Sequence, residues 1–394
     1  FLNIPLEIRL EVKYSHPSSR LKNSLKMTAD VGDSKIVVPF MPSLLHIASV
    51  NVAVPLLNDF DLTTLQIAFK KIQQGIPIRD SKDTTFIKCN RAQKKLLFIP
   101  EHLRTKVLEA VQGLQYGALQ WKSQHSHVLE LKDGECIFYW RSDGRVDEIK
   151  TVQKLVQNAN IDIRKRFHFS CIYCLEESIQ TLWTEMERSG ETGNLETAHD
   201  SMMHFWVKWM SDGSRIPWRQ VAAEYFATPA RYSESQIARL SSIFPSLRPE
   251  DRKKYLYSLQ FRDLDDLLLC MYSVTKEEEK QILKWCAVNL LYIYLEWPLR
   301  SLFLETEEKL RNYIDELSFQ CLLERIFINM KLWEDFDHYE LFEGFWNSSH
   351  DHFKERAKQI PHIRKIIDSC LNAIKSKRKA QEDEGRHAKK KRLV

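Results

Sequence analysis

The sequence predicts an all-α protein of stacked helix pairs, ending in a disordered basic tail. Three observations carry that reading. Glycine (11) and proline (13) are scarce among 394 residues, so tight turns are few, while Leu, Glu, Lys and Gln abound. The chain is 43% hydrophobic and 11% aromatic, enough to fill a large core. From Val146 to Met186 the apolar residues recur at helical spacing: Ile149, Val152, Leu155, Val156, then Ile163, Phe167, Cys171, Cys174, then Ile179, Leu182, Trp183, Met186. Asp147, Asp162 and Ser178 each stand where a side-chain oxygen can accept from free N–H groups and start a helix. That stretch predicts three short helices folded on each other.

Earlier elements follow in order. Met41–Leu57 is a strongly apolar helix, with Pro42 in its first turn and Ser43 as cap. Its expected buried positions are Leu44, Ile47, Ala48, Val52 and Val54. His46 reads as a surface or satisfied core histidine. A helix near Asp61–Gln74 ends at Gly75 and Pro77. Ile87–Pro100 looks extended, and a helix runs from Pro100-Glu101 through Leu114. ECIFYWRS, flanked by Asp133-Gly134 and Asp143-Gly144, reads as a short strand or buried loop. Any strand is thus confined to Phe86–Trp140.

Later elements are rhythmically helical. Ser201–Met210 places Phe205, Trp206 and Trp209 on one side, and Ile216-Pro217-Trp218 opens the next helix. The segments Asp251–Tyr272 and Glu277–Tyr294 alternate polar and apolar faces, and Trp297-Pro298 breaks the chain. Leu302–Leu317, Phe319–Trp333, Tyr339–Trp346 and Ile363–Ile374 follow as helices. Helices of this length joined by short connectors suggest pairs stacked in an array. Three regions result: a mainly helical 1–145, a helical-repeat-like 146–374 and a disordered basic 375–394.

Charge is unevenly placed. Residues 375–394 carry nine Lys/Arg against three Asp/Glu, while the whole chain is +5, so the body is near neutral. A neutral body has no bulk reason to attract nucleic acid or an anionic membrane. No apolar run reaches the ~18 residues of a membrane span. Eight scattered cysteines, no disulfide framework and no signal peptide point to a reducing intracellular compartment.

Resemblances come through short words. Ile4-Pro5-Leu6-Glu7-Ile8 is similar to the opening of an F-box, whose helix docks an adaptor, without the three-helix pattern that should follow. Lys154–Trp183 resembles a degenerate ankyrin repeat: Asn158-Ala159-Asn160-Ile161-Asp162 sits at the family's turn and Phe167-His168-Phe169-Ser170-Cys171 at its first helix. The family's Thr-Pro is absent, and Cys174-Leu175 stands where its interhelical glycine belongs. More of the chain resembles a group of uncharacterised helical proteins of spiders and related arachnids. The landmarks are Pro42–Ala48, Asp162–Phe167, Cys171-x-Tyr173-Cys174-Leu175-Glu176-Glu177 and Leu182-Trp183. That resemblance implies a fold like theirs and no activity.

No catalytic constellation is legible, and neither a metal nor a cofactor is called for. Cys171-x-x-Cys174 with His168 reads as core packing, since no second ligand pair completes a zinc tetrahedron and the cysteines fall inside a helix. His350-Asp351, with Asp335, His338 and His352 near, is similar to a metal-phosphohydrolase doublet but sits in an expected surface loop. Trp206, Trp209, Trp285 and Trp297 read as core. The nucleotide and hydrolase fingerprints are missing.

The tail differs. Lys377-Arg378, then ten residues, then Lys389-Lys390-Lys391-Arg392 match a bipartite nuclear import signal. The expected protein is therefore a non-enzymatic helical interaction protein of the nucleus. Its partners are an import receptor through the tail and an unknown protein, with nucleic acid only through the tail and no membrane. The alternatives are a cytoplasmic protein, an enzyme whose site assembles from distant residues (Cys171, Cys174 or His350), and a tail-mediated nucleic-acid binder.

Overall fold

In the computed structural model the described residues are 35–78, 84–126, 136–193, 195, 201–213, 216–226, 239–253, 264–332 and 338–392, with side chains described throughout except at 84–85, 201, 226, 240, 331–332 and 380–392. The F-box-like segment near Ile4 lies outside them. Residues Lys35–Val394 form one compact unit.

The architecture is all-α. The helices are α1 Leu44–Asp59, α2 Leu62–Gln73, α3 Thr84–Leu97, α4 Glu101–Gln124, α5 Glu148–Val156, α6 Ile163–Ile172, α7 Glu176–Ser189, α8 Ser201–Ser211 and α9 Trp218–Phe226. There follow α10 Leu264–Ser273, α11 Lys276–Tyr294, α12 Phe303–Leu310, α13 Glu316–Leu332, α14 His338–Ser348, α15 Asp351–Gln359 and α16 Pro361–Arg392. They pack as pairs: α1 on α4, α2 on α3, α6 on α7, α10 on α11, α13 on α14. Each pair covers two apolar stripes at once, which is where most helical stability arises.

The expected caps form at Ser43, whose Oγ accepts from His46 N, at Asp147 from Lys150 N, and at Asp162 from Arg164 and Lys165 N, and Asp61 caps α2 by accepting from Thr64 N. Ser178 is not a cap; α7 starts two residues earlier, after Leu175. The buried face of α1 is also not the expected one. Ser49, Val50, Ala53 and Leu56 are buried, while Leu44 is 85% and Val52 40% exposed. This helix is apolar around its whole circumference, so periodicity cannot choose a face.

Ile87–Pro100 is not extended. Ile87–Leu97 belongs to α3, whose inward residues Cys89, Ala92, Gln93 and Leu96 follow helical spacing. Among the described residues β pairing is limited to an isolated antiparallel bridge, Trp140 with Val146, flanking the Asp143-Gly144 turn. The helix from Glu101 continues ten residues past Leu114. Expected Leu302–Leu317 breaks into α12 and a short 3-10 turn at Arg311–Tyr313. His350-Asp351 begins a helix rather than lying in a loop.

The last helix runs past its expected end near Ile374, to Arg392. Lys, Arg, Ala, Gln and Glu are strong helix formers, and Glu382 stands four residues before Arg386, the favourable order for a charge pair. Among the described side chains of that helix Ile374 is the last buried one, and Lys375–Lys379 are all exposed.

Two buried apolar clusters fill the unit. A smaller one joins α1–α4 and includes Ala53, Leu65, Ala92, Val111 and Leu114. The larger runs from Trp121 through α5–α16. Trp297 is wedged between them. It stacks on His46 at 5.4 Å, and a Cβ at Gly113 would lie 2.2 Å from its ring. His46 is thus a packed histidine, its Nε2 2.9 Å from the Asp143 carbonyl. The described chain enters by clamping the end of α10. Lys35 Nζ donates to the carbonyls of Met271 (2.9 Å) and Val274 (2.8 Å), orphan acceptors that a cation suits.

Candidate functional site

The helical turn between α6 and α7 gathers the densest chemistry. Helix α6 ends at Ile172, and the chain reverses through Tyr173, Cys174 and Leu175. Cys174 takes φ +50°, the left-handed conformation that glycine favours. So the backbone bends as an interhelical glycine would, without the glycine. The cysteines are not within one helix as expected: Cys171 lies in the last turn and Cys174 beyond it. Cys171 is fully buried, and burial pushes the Cys174 thiol up to about 12. A thiol so shifted is neither nucleophile nor ready ligand.

Tyr173 sits between the two cysteines and was not singled out by the sequence. Trp121 Nε1–H donates to its hydroxyl oxygen at 3.1 Å. The same hydroxyl lies 2.9 Å from Glu148 Oε2 and 2.8 Å from His125 Nε2. Arg239 pairs with Glu148 and lies over the Tyr173 ring, 4.9 Å from its centroid. His125 stacks on Trp121 at 4.3 Å, and its Nδ1 is 2.8 Å from the Trp121 carbonyl. Four segments meet here: the end of α4, the start of α5, the α6–α7 turn and the residue before Leu240.

Proton counting defines what this cluster does. A carbonyl only accepts, so His125 Nδ1 carries a hydrogen. The single Tyr173 proton can serve Glu148 or His125 Nε2, not both. The contact left over needs a second proton, on Nε2 or on the carboxyl. Burial raises the Glu148 carboxyl above its usual range, opposed by the Arg239 cation, and raises Tyr173 further. The cluster is a proton-sharing lock among buried groups. No signal in the sequence could have found it, because Glu148 is 25 residues from Tyr173 and 91 from Arg239.

A second buried charged group ties α4 to the α11 end. Glu296 pairs with Arg325 at 3.1 Å, and the Arg300 Nε donates to the Leu295 carbonyl at 3.2 Å. Burial raises the carboxyls of Glu109 and Glu296 and lowers Arg300.

The other expected sites disperse. His338 is buried at the start of α14, while His350 and His352 stack at 5.6 Å beside Phe353. The Asp351 side chain is 96% exposed and pairs with Lys354. Asp335 lies outside the described residues. Among the described residues no three His, Cys, Asp or Glu side chains gather as metal ligands do. Trp206 is fully buried, but Trp285 is 52% exposed, contrary to its expected core position. Of the import residues, Lys377 and Arg378 are exposed on α16, with Arg378 paired to Glu343 at 2.7 Å. Lys389–Arg392 continue the same helix, their side chains outside the described ones.

The surface over the ankyrin-like segment carries an open hollow of about 360 Å³. It is lined by Asn160, Asp162, Arg166, Glu185, Ser189 and Glu191 among others. No helix among the described residues is long and apolar enough to cross a membrane. Compared with protein-family models, curated proteins and solved structures, the chain finds no match.

Proposed function

We propose that this chain is a non-enzymatic helical interaction protein carried into the nucleus by its basic C-terminal segment. The observation that carries the reading is the pair of basic clusters at the chain end. Lys377-Arg378 and Lys389-Lys390-Lys391-Arg392 stand ten residues apart, beyond Ile374, the last buried residue among the described side chains of α16. Import receptors recognise such clusters through acidic pockets, where charge supplies much of the attraction. The helical backbone adds a requirement: the segment unwinds on binding, and helix ends fray at low cost. The body supports an interaction role through its large exposed helix faces. The ankyrin-like helix pair α6–α7, with its hollow at Asp162 and Glu185, offers one such face.

The test is localisation of the full chain fused to a fluorescent reporter. Replacing Lys389, Lys390, Lys391 and Arg392 by alanine together should abolish nuclear accumulation and leave the thermal midpoint unchanged. Nuclear accumulation by the quadruple variant would overturn the import reading. Loss of DNA or RNA affinity with a steep salt slope would replace it with tail-mediated nucleic-acid binding.

A further inference from the structure

Helix α3 presents to solvent a face that the packing does not use. Its inward residues are Cys89, Ala92, Gln93 and Leu96. The opposite side carries Ile87, Arg91 and Lys94 at spacings of four and three, which align along one helix face, and Phe98 follows directly after the last helical residue, Leu97. Ile87 is 44% and Phe98 87% exposed, and each has an exposed apolar neighbour, Phe86 at 50% and Leu97 at 47%. Lys95 is exposed beside Arg91 and Lys94, and Lys88 borders them, tied to Asp61 at 2.7 Å. Two apolar pairs thus flank the cations, with Ile87 and Leu97 about 15 Å apart by helical rise.

The charge is local and substantial. From Asp61 to Phe98 the chain holds eight Lys/Arg against three Asp/Glu. Among the described residues no carboxylate lies within ion-pair reach of Lys94 or Lys95, while Arg91 lies over the Phe60 ring. Exposed apolar groups of this size beside uncompensated cations mark an interaction surface.

We propose that this face of α3 docks an acidic polypeptide segment bearing a large apolar side chain at each end. Its carboxylates meet Arg91, Lys94 and Lys95, and its apolar residues cover Phe86-Ile87 and Leu97-Phe98. The chemistry favours this occupant over two others. A phosphate backbone gains nothing from four apolar side chains, and its sites also use neutral hydrogen-bonding groups, which this face lacks apart from Asn90. A bilayer takes a contiguous apolar surface with cations around it, whereas here the apolar pairs stand apart with cations between. The proposal deepens the reading of the body as an interaction module and does not depend on import.

The experiment uses the full chain and a labelled helical peptide with Phe at both ends of a Glu-rich stretch, eleven residues apart. Two analogues carry Ser for both Phe, or Gln for every Glu. The wild type should bind the parent peptide about tenfold tighter than either analogue. Lys94→Glu with Lys95→Glu should weaken the parent peptide about tenfold and leave the thermal midpoint alone, since both residues are exposed. Phe98→Ser should weaken the parent peptide severalfold but not the Ser analogue, a coupling that charge alone cannot give. The four-residue tail variant should bind the peptide as wild type, so a failure of import and a failure here are distinct. Equal binding by the double-Glu variant, or no preference for the Phe ends, overturns the proposal. So does tighter binding to single-stranded DNA, or to vesicles of phosphatidylserine and phosphatidylcholine, lost in the same variant.

Discussion

The front helices α1–α4 and the body behind them fill their interiors by different means. The front cluster is built from small and aliphatic residues, Ala53, Ala68, Ala92, Ala110, Leu65 and Val111, with Phe60 as its buried aromatic ring. The body packs rings: Phe167, Phe169, Tyr173, Trp206, Phe303, Phe319, Phe342 and Phe345 all fall below 2% exposure. Surfaces invert the comparison. The front exposes Met41 (84%), Leu44 (85%) and Phe98 (87%), whereas Trp285 (52%) and Leu317 (53%) are the most exposed large apolar groups described from α5 onward. Small side chains let α1 lie close on α4 and α2 on α3, but they bury little area per residue. Large rings bury 150–250 Å² each, roughly, and can also carry a polar tip into a buried network. So the front spends its large apolar groups on the outside, where a partner can reach them, and the body spends its own on cohesion.

The largest expected effect is a ring deletion in the body. Trp183 is 7% exposed, packs on Phe167 at 5.8 Å and donates from Nε1 to Glu187 at 2.8 Å. Trp183→Ala should cost ~3–5 kcal/mol in urea unfolding. Cys171→Ser, nearly isosteric, should cost clearly less, because only a buried polar group is added. Equal losses would mean that the thiol does more than pack. Stoichiometric zinc lost on mutating Cys171 and Cys174 together would mean the same.

The joint between the regions comes next. The Trp297 ring fills the space a side chain would need at Gly113 and at Gly144, whose Cβ would also fall 2.2 Å from that ring. Gly144 additionally holds φ +87°. Gly113→Ala cannot be absorbed by a flexible tip, because the obstacle is the indole itself. Overpacking of that kind costs ~1–3 kcal/mol. Hydrogen exchange should show the loss concentrated in α1 and α4 if the front opens separately. Uniform loss across α5–α16 would show instead that both clusters unfold as one.

How much of this was readable beforehand follows the range of each interaction. Caps at Ser43, Asp61, Asp147 and Asp162 depend on atoms two or three residues away, so the sequence displays them. Ile87–Pro100 misled because Phe86 and Ile87 at its start favour strands, while its helical inward spacing needs the partner helix to matter. The face of α1 was illegible for a different reason: only its neighbours, not its own pattern, select Val50 over Val52. Near-neutrality of the body concealed the basic front, since averaging over the chain hides a local excess. The Tyr173 lock joins four segments remote in sequence, and only the fold brings them together.

The smallest expected effect concerns whether surface charge holds the front. Asp61 caps α2 and receives the Lys88 ammonium at 2.7 Å, with Thr64 N at the same distance. The Lys88 hydrogen bond, foremost, lowers the Asp61 carboxyl to about 2 from 3.8. A depressed carboxyl contributes stability above its unfolded value and loses it as pH falls through the folded one. The contribution is therefore complete above about pH 4 and fades toward about pH 2. Both side chains are about half exposed (47% and 50%), so solvent screening reduces the pair to a few tenths of a kcal/mol. Lys88→Met should let the Asp61 titration, followed by carbon NMR of its carboxyl, move back toward the ordinary value. The stability difference between wild type and variant should be small near neutrality and vanish in acid. A difference that persists unchanged at about pH 2 would assign the loss to the Lys88 stem lying on the α2–α3 surface. The front would then be held by packing alone, and its cations left for whatever binds it.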